Sequence, residues 1–145
     1  MLAVGCGSGQ PASTSSWQGS TERALGELIS GLGTARLVVE HDARGGLPHS
    51  YAVVTMTDSI ESSSRKVSGY LVGQPPDRLH AANATVTTAL QEAQALLVET
   101  SVAIASPGLD RATARRLVDE IDAMRERLDR LDTAVKEAPG SVGRR

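Results

Sequence analysis

Apolar side chains recur at spacings of three and four residues from about residue 17 onward, which is the periodicity of an amphipathic α-helix. Four segments share this pattern, and turns that contain Gly and Pro separate them. We predict helices over about residues 17–43, 49–72, 76–105 and 110–137. Gly45 or Gly46 can supply the left-handed C′ position after the first helix, and Asp110 is the predicted N-cap of the fourth. No stretch keeps the period-two alternation of a strand between turn signals. Because the connections are short, the sequence predicts an all-α fold, an antiparallel up-down-up-down four-helix bundle over residues 17–138.

The same periodicity predicts which side chains form the core of this bundle. They are Leu25, Leu28, Leu32, Ala35 and Val39 in the first helix, Val53, Met56, Ile60, Val67 and Leu71 in the second, Leu79, Ala82, Val86, Ala89, Ala93, Leu96, Thr100 and Ala103 in the third, and Ala114, Leu117, Ile121, Met124, Leu128, Leu131 and Val135 in the fourth. The chain has two tyrosines, one tryptophan and no phenylalanine. The core should therefore be aliphatic, with Trp17 covering one end of it.

Charge is distributed unevenly among the four helices. The fourth is densely charged, which predicts an amphipathic helix with a solvated outer face, whereas the third is rich in Ala and Thr on all sides. Such a helix suits a plain alanine-rich surface, deep burial or a self-association face, for which Ala89 and Ala93 are the positions to test. Fifteen basic and seventeen acidic residues give a net charge of −2, so we expect no nucleic-acid partner.

The residues Ala3-Val4-Gly5-Cys6 resemble the lipobox of bacterial lipoproteins. In that motif a hydrophobic residue, a small or branched residue and Gly or Ala precede a cysteine that is acylated and becomes the mature N-terminus. Cys6 is the only cysteine in the chain, and the uncharged run GSGQPASTSS follows it. Ala3 stands where lipoboxes prefer Leu, and only five residues precede Cys6, which is shorter than a signal peptide requires.

This resemblance implies a small lipoprotein whose signal peptide is truncated to residues 1–5. Residues 6–16 would be the lipidated cysteine and a flexible tether, and residues 139–145 a disordered tail. Two or more acyl chains, palmitate among them, would hold the protein stably on the extracytoplasmic face of the bacterial membrane. The bundle would then serve as a structural, adaptor or envelope-interaction module of the cell envelope. If Cys6 is not lipidated, a soluble protein that self-associates through the third helix becomes the first hypothesis.

The turn between the first two helices offers a second alternative, a ligand- or metal-binding domain with a sensor-like role. His41 and Asp42 end the first predicted helix and His49 begins the second, so the turn could bring two imidazoles and one carboxylate together. Metal ligands on helices usually repeat at i,i+3 or i,i+4, and these residues lack that spacing. A histidine near a helix C-terminus is equally explained by contacts with the last carbonyls. We expect no metal or other cofactor.

No pattern in the chain predicts catalysis. Ser63 and Lys66 have the Ser-x-x-Lys spacing, but both fall on one helix without an element that could form an oxyanion hole. The glycines of GELISGLGT lack the Lys-Ser/Thr of a phosphate-binding loop, and we interpret them as points of close helix approach or a bend. We therefore expect a protein that is not an enzyme.

Overall fold

The computed structural model describes residues 12–138, and within this range the fold is all-α with no strand. Helix α1 spans Thr14–Ala43, α2 His49–Leu71, α3 His80–Ala105 and α4 Arg111–Glu137. A 3-10 turn, Asp77–Leu79, leads into α3. The predicted number and order of helices are therefore confirmed, and the bounds differ from prediction by a few residues.

Helix α1 begins three residues before its predicted start because Ser13 caps it. The Ser13 hydroxyl accepts a hydrogen bond from the Ser16 amide at 3.1 Å, which satisfies one of the free N–H groups of the first turn. Thr14, Ser15 and Ser16, which the sequence assigned to a flexible tether, are thus part of a helix.

Two glycines with positive φ lie in the connections between helices. Gly45 (φ 68°) follows α1 and Gly108 (φ 80°) lies between α3 and α4, and both adopt the left-handed conformation that side chains disfavour. Asp110 then caps α4, its carboxylate accepting from the Thr113 amide at 2.8 Å. The sequence predicted both the glycine C′ position after α1 and the Asp110 cap.

The core is aliphatic, as predicted, and α1 lies at its centre with contacts to the three other helices. The largest fully buried side chains of the core come from all four helices: Leu25, Leu28, Leu32, Val39, Met56, Val67, Leu90, Leu97, Ile104, Leu117, Ile121 and Leu128. Trp17 is buried at one end. Burying apolar surface contributes about 25 cal/mol per Å² to stability, and these residues supply the main part of that surface.

Two residues predicted for the core are exposed. Leu71 is the last residue of α2, beyond which the chain turns away, and Ala82 lies in the first turn of α3 on a side that no helix covers. Ala89 and Ala93, the two positions chosen to test self-association through the third helix, are fully buried. The outer surface of that helix is formed by other residues.

Hydrogen bonds between helices identify the ends that lie together. Gln18 Nε2 in α1 donates to the carbonyl of Val135 in α4 at 3.0 Å. Near the opposite end of the same pair, Arg36 Nε donates to Asp122 Oδ1 at 2.8 Å. The first turns of α1 therefore lie beside the last turns of α4, and residues later in α1 lie beside earlier ones in α4.

A glycine marks the close approach of α1 to α2. A Cβ atom placed on Gly31 would lie 3.1 Å from Ser63 Oγ and 3.5 Å from Leu97 Cδ1. Ser63 is fully buried and donates to the Ser59 carbonyl at 2.6 Å. The interpretation of this glycine as a point of close helix approach is confirmed, whereas Gly26 has open space around it.

Candidate functional site

The predicted lipidation site lies outside the described residues. Cys6, the lipobox-like Ala3–Gly5 and the tail 139–145 all fall in the parts of the chain that the structure does not describe. The described chain starts at Ala12, whose amide donates to the carbonyl of Gln74 at 3.0 Å. Next to it, the guanidinium of Arg78 donates to the Thr14 hydroxyl. The described chain therefore begins beside the α2–α3 connection.

We call this region the proximal end of the bundle: the first turn of α1, the connection 72–79 and the last turn of α4. A polar cluster holds it together. Trp17 Nε1 donates to Asn83 Oδ1 at 2.9 Å, and the Tyr70 hydroxyl donates to the same oxygen at 2.5 Å. Thr21 lies fully buried beside them and donates to the Trp17 carbonyl at 2.8 Å. One amide oxygen thus joins the starts of α1 and α3 to the end of α2.

Burial raises the pKa of the Tyr70 phenol above its ordinary value, and hydrogen bonds to Thr21, Trp17 and Thr87 only partly offset this. The phenol therefore stays protonated and keeps its role as a donor. Asn83, unlike an aspartate, accepts both hydrogen bonds without bringing a charge into a half-buried site. The cluster is chemically suited to fixing the proximal end, and it contains no nucleophile–base pair.

The proximal end also presents two exposed apolar side chains. Val72 is 83% exposed and Leu71 43% exposed. The backbone beneath them is ordered by hydrogen bonds, since the Val72 amide donates to the Ser68 carbonyl and the Gly73 amide to the Tyr70 carbonyl, both at 3.2 Å. We call Leu71 and Val72 the proximal tip.

The His41–Asp42–His49 corner lies at the other end of α1. His41 and His49 are both exposed, and the His41 carbonyl accepts from the Gly46 amide at 2.8 Å while the Asp42 carbonyl accepts from Gly45 at 2.9 Å. Among residues 12–138, no group of three or more His, Cys, Asp or Glu side chains is arranged to hold a metal ion. The structure therefore does not bring these three weak candidate ligands together, and their main-chain atoms form a turn.

One exposed row of α3 carries no charge, and the exposed Glu92 and Glu99 lie beside it. The residues of this row recur at spacings of three and four along the helix, and we call them the outer stripe of α3: Ala84, Thr88, Gln91, Ala95, Val98 and Val102. Val98 and Val102 are among the exposed large apolar residues of the fold. Ala89 and Ala93 are buried, so the exposed surface of the third helix includes this stripe and neither of those two residues.

An open groove of about 500 Å³ separates α3 from α4, next to the outer stripe. Its apolar lining residues are Ala95, Leu96, Ala123 and Met124. Ion pairs border it: Arg127 contacts Glu92, and Arg116 Nη1 lies 2.9 Å from Glu99 Oε1. Because these pairs are half-exposed, each contributes little to stability. The groove is open and lined by three carboxylates, Glu92, Glu99 and Glu120, of which Arg116 pairs with the last two.

Sequence reasoning missed the role of Asn83. In the sequence it stands out only as part of an Asn-x-Thr glycosylation sequon, Asn83-Ala84-Thr85. Its partners Trp17 and Tyr70 come from two other helices, so no local pattern could have identified the cluster. An asparagine in the first turns of a helix next to aromatic residues elsewhere in the chain is the only signal available, and it is weak.

Within residues 12–138, no helix combines the length and hydropathy needed to cross a lipid bilayer. A scan against protein-family models, a search of curated proteins and a search of solved structures each gave no match to this chain.

Proposed function

We propose that the chain is a bacterial lipoprotein anchored through acyl chains on Cys6, with a non-catalytic helical bundle on the extracytoplasmic face of the membrane. The observation that carries the proposal is the lone cysteine directly after Ala3-Val4-Gly5, six residues before Ala12, the first described residue. The bundle would act as a structural, adaptor or envelope-interaction module. An antiparallel, up-and-down order of the four helices belongs to this proposal, and the contacts of Gln18 with Val135 support it.

The length of the tether supports this arrangement. Six residues from Cys6 to Ala12 span at most about 20–22 Å when fully extended, so an anchored bundle would stay close to the lipid headgroups. Helix α1, with 30 residues, is about 45 Å long. The turn around Gly45 would then be the part of the bundle farthest from the membrane and nearest to envelope partners.

Intact mass spectrometry tests the proposal directly. The gene is expressed in its native host with its upstream DNA, and the protein is recovered from the membrane fraction. We expect an N-terminal peptide that begins at Cys6 and carries acyl chains. A matched Cys6→Ser variant should lack the acyl mass and leave the membrane fraction. An unmodified peptide that begins at Met1 would refute the proposal.

A second candidate function, a helical protein that self-associates, is favoured by the uncharged outer stripe of α3. An exposed row without charges is suited to packing against a second copy. Sedimentation over a range of concentrations tests this, with Ala95→Glu in the stripe and Ala134→Glu on the exposed side of α4 as its matched control. Self-association through the stripe requires that only Ala95→Glu lowers the mass at high concentration. A concentration-independent monomer mass in the unaltered chain would exclude it.

A further inference from the structure

We propose that the proximal tip, Leu71 and Val72, is a membrane-contact site that rests on the lipid surface when the chain is anchored. This inference rests on the proposed lipidation of Cys6 and adds the orientation of the bundle and the side chains that touch the bilayer. Leu71 and Val72 would thus contact the headgroup layer of the membrane.

The first argument is the place where the tether joins the fold. Ala12 is hydrogen-bonded to Gln74, which is only two residues beyond Val72. Since residues 6–12 reach about 20–22 Å at most, a lipid on Cys6 would keep Ala12 within that distance of the bilayer, and the tip lies only a few residues from Ala12's partner Gln74. The headgroup region is itself several ångströms deep on each face. Tether and tip therefore meet the same surface.

The second argument is the position of the other exposed large apolar residues. They are Leu37, Tyr51, Val54, Val98 and Val102. Each lies in the half of its helix that is remote from the proximal end, since the starts of α1 and α3 and the end of α2 meet at the Asn83 cluster. Among the described residues, exposed large apolar side chains at the proximal end are thus confined to the tip.

The third argument concerns charge. The charged residues nearest the tip in the chain are Arg65 and Lys66 in α2 and Asp77 and Arg78 in the connection, and all four are exposed. Three of the four are basic, so an anionic lipid surface would be attracted to this region and not repelled. The contact of Leu71 and Val72 themselves is apolar, and added salt should weaken only the contribution of the charged neighbours.

Two apolar side chains are too few to hold a free protein on a membrane, and the tether removes that requirement. Linkage through Cys6 makes contact of the tip with the lipid an intramolecular event, with an effective concentration in the millimolar range for a short flexible linker. We therefore expect the anchored chain to contact lipid through the tip, and the unanchored chain to remain in solution.

Quenching by brominated lipid tests the contact. The full chain is coupled through the Cys6 thiol to a maleimide-headgroup lipid in phosphatidylcholine vesicles, with or without dibrominated acyl chains. Val72→Trp reports on the tip, and Val102→Trp is the matched control, an exposed valine in the remote half of α3. Both variants keep the buried Trp17. We expect quenching of the added tryptophan to be at least about twofold stronger at position 72, since interfacial apolar groups enter about 5–10 Å into the headgroup and acyl boundary.

Two results would overturn the inference. Equal quenching at positions 72 and 102 would show that the tip has no preference for the lipid. A blue-shifted emission of Val72→Trp that rises with protein concentration in the absence of vesicles would show that a second copy covers the tip. Chemical coupling does not depend on acylation in the host, so a negative result here leaves the proposed lipoprotein standing. Conversely, an unacylated Cys6 in the host would refute the proposed function whatever the vesicles show.

Discussion

The close approach of α1 to α2 at Gly31 leads to a prediction that separates helix propensity from packing. Gly26 and Gly31 both lie within α1, yet a Cβ at Gly26 meets nothing within 4 Å. A Cβ at Gly31 meets Ser63 Oγ at 3.1 Å, with Leu97 Cδ1 at 3.5 Å. The same substitution, Gly→Ala, should therefore have opposite consequences five residues apart on one helix.

Gly26→Ala should raise the free energy of unfolding by about 0.5–1 kcal/mol, because alanine loses less backbone entropy on entering a helix. For a domain of this size that is a rise in Tm of about 2–4 °C. Gly31→Ala has the same favourable backbone-entropy contribution. Its new Cβ must displace a buried neighbour, however, and overpacking of this kind costs about 1–3 kcal/mol. We expect Gly31→Ala to be less stable than Gly26→Ala by about that amount.

Urea unfolding followed by Trp17 fluorescence and helical circular dichroism measures both variants. Ser63→Ala removes the oxygen that the new Cβ would meet, and should itself cost only about 0.5–1.5 kcal/mol through the lost hydrogen bond. In that background Gly31→Ala should recover most of its deficit, which is a coupling that a double-mutant cycle isolates. If Gly31→Ala stabilises the unaltered chain as much as Gly26→Ala does, the packing argument at Ser63 is wrong.

Three further predictions follow from the site and the caps. Asn83→Ala leaves the indole and phenol donors without their shared acceptor, and should lower the free energy of unfolding by about 2–4 kcal/mol in urea titrations; an unchanged midpoint would contradict the shared role of that oxygen. Ala89→Glu places a charge in the core and should cost at least about 3 kcal/mol, whereas thermal melts of Ala95→Glu should stay within about 0.5 kcal/mol of the parent chain. Hydrogen bonds from Thr113 lower the pKa of Asp110 below its ordinary 3.8, so its cap stabilises the fold above about pH 4 and is lost as the pH falls through the lower folded-state value. Asp110→Asn should therefore show a smaller fall in Tm between pH 7 and pH 3 than the parent chain, and an equal fall would refute this.

The sequence predicted those features of the fold that depend on near neighbours in the chain. Apolar spacing, turn glycines and the Asp110 cap are local signals, because a helix repeats every 3.6 residues and its ends are satisfied by residues a few positions away. The start of α1 was misplaced because Ser13 lies in an uncharged, Ser-rich run where several residues could cap a helix equally well. The aliphatic character of the core was predicted from composition, because the chain has only two tyrosines, one tryptophan and no phenylalanine.

For the candidate site, the sequence supplied Cys6 with its surroundings and the position of Trp17 at one end of the core. The proximal end could not be predicted, since the bond of Ala12 to Gln74 and the cluster around Asn83 join residues from different helices. The exposed state of Leu71 is a similar case, because its apolar side chain fits the helical period and only the path of the chain after α2 leaves it uncovered.

The difference between what the sequence predicts and what the tertiary structure decides is clearest in the third helix. Its alanines lie on all sides, so periodicity alone could not tell Ala93, which is fully buried, from Ala95, which is exposed. The sequence by itself determined that there are four helices and where the connections between them lie. The tertiary structure alone decided which side of α3 faces inward and which end of the bundle lies beside the tether, because burial depends on neighbours that the chain brings together only when it folds.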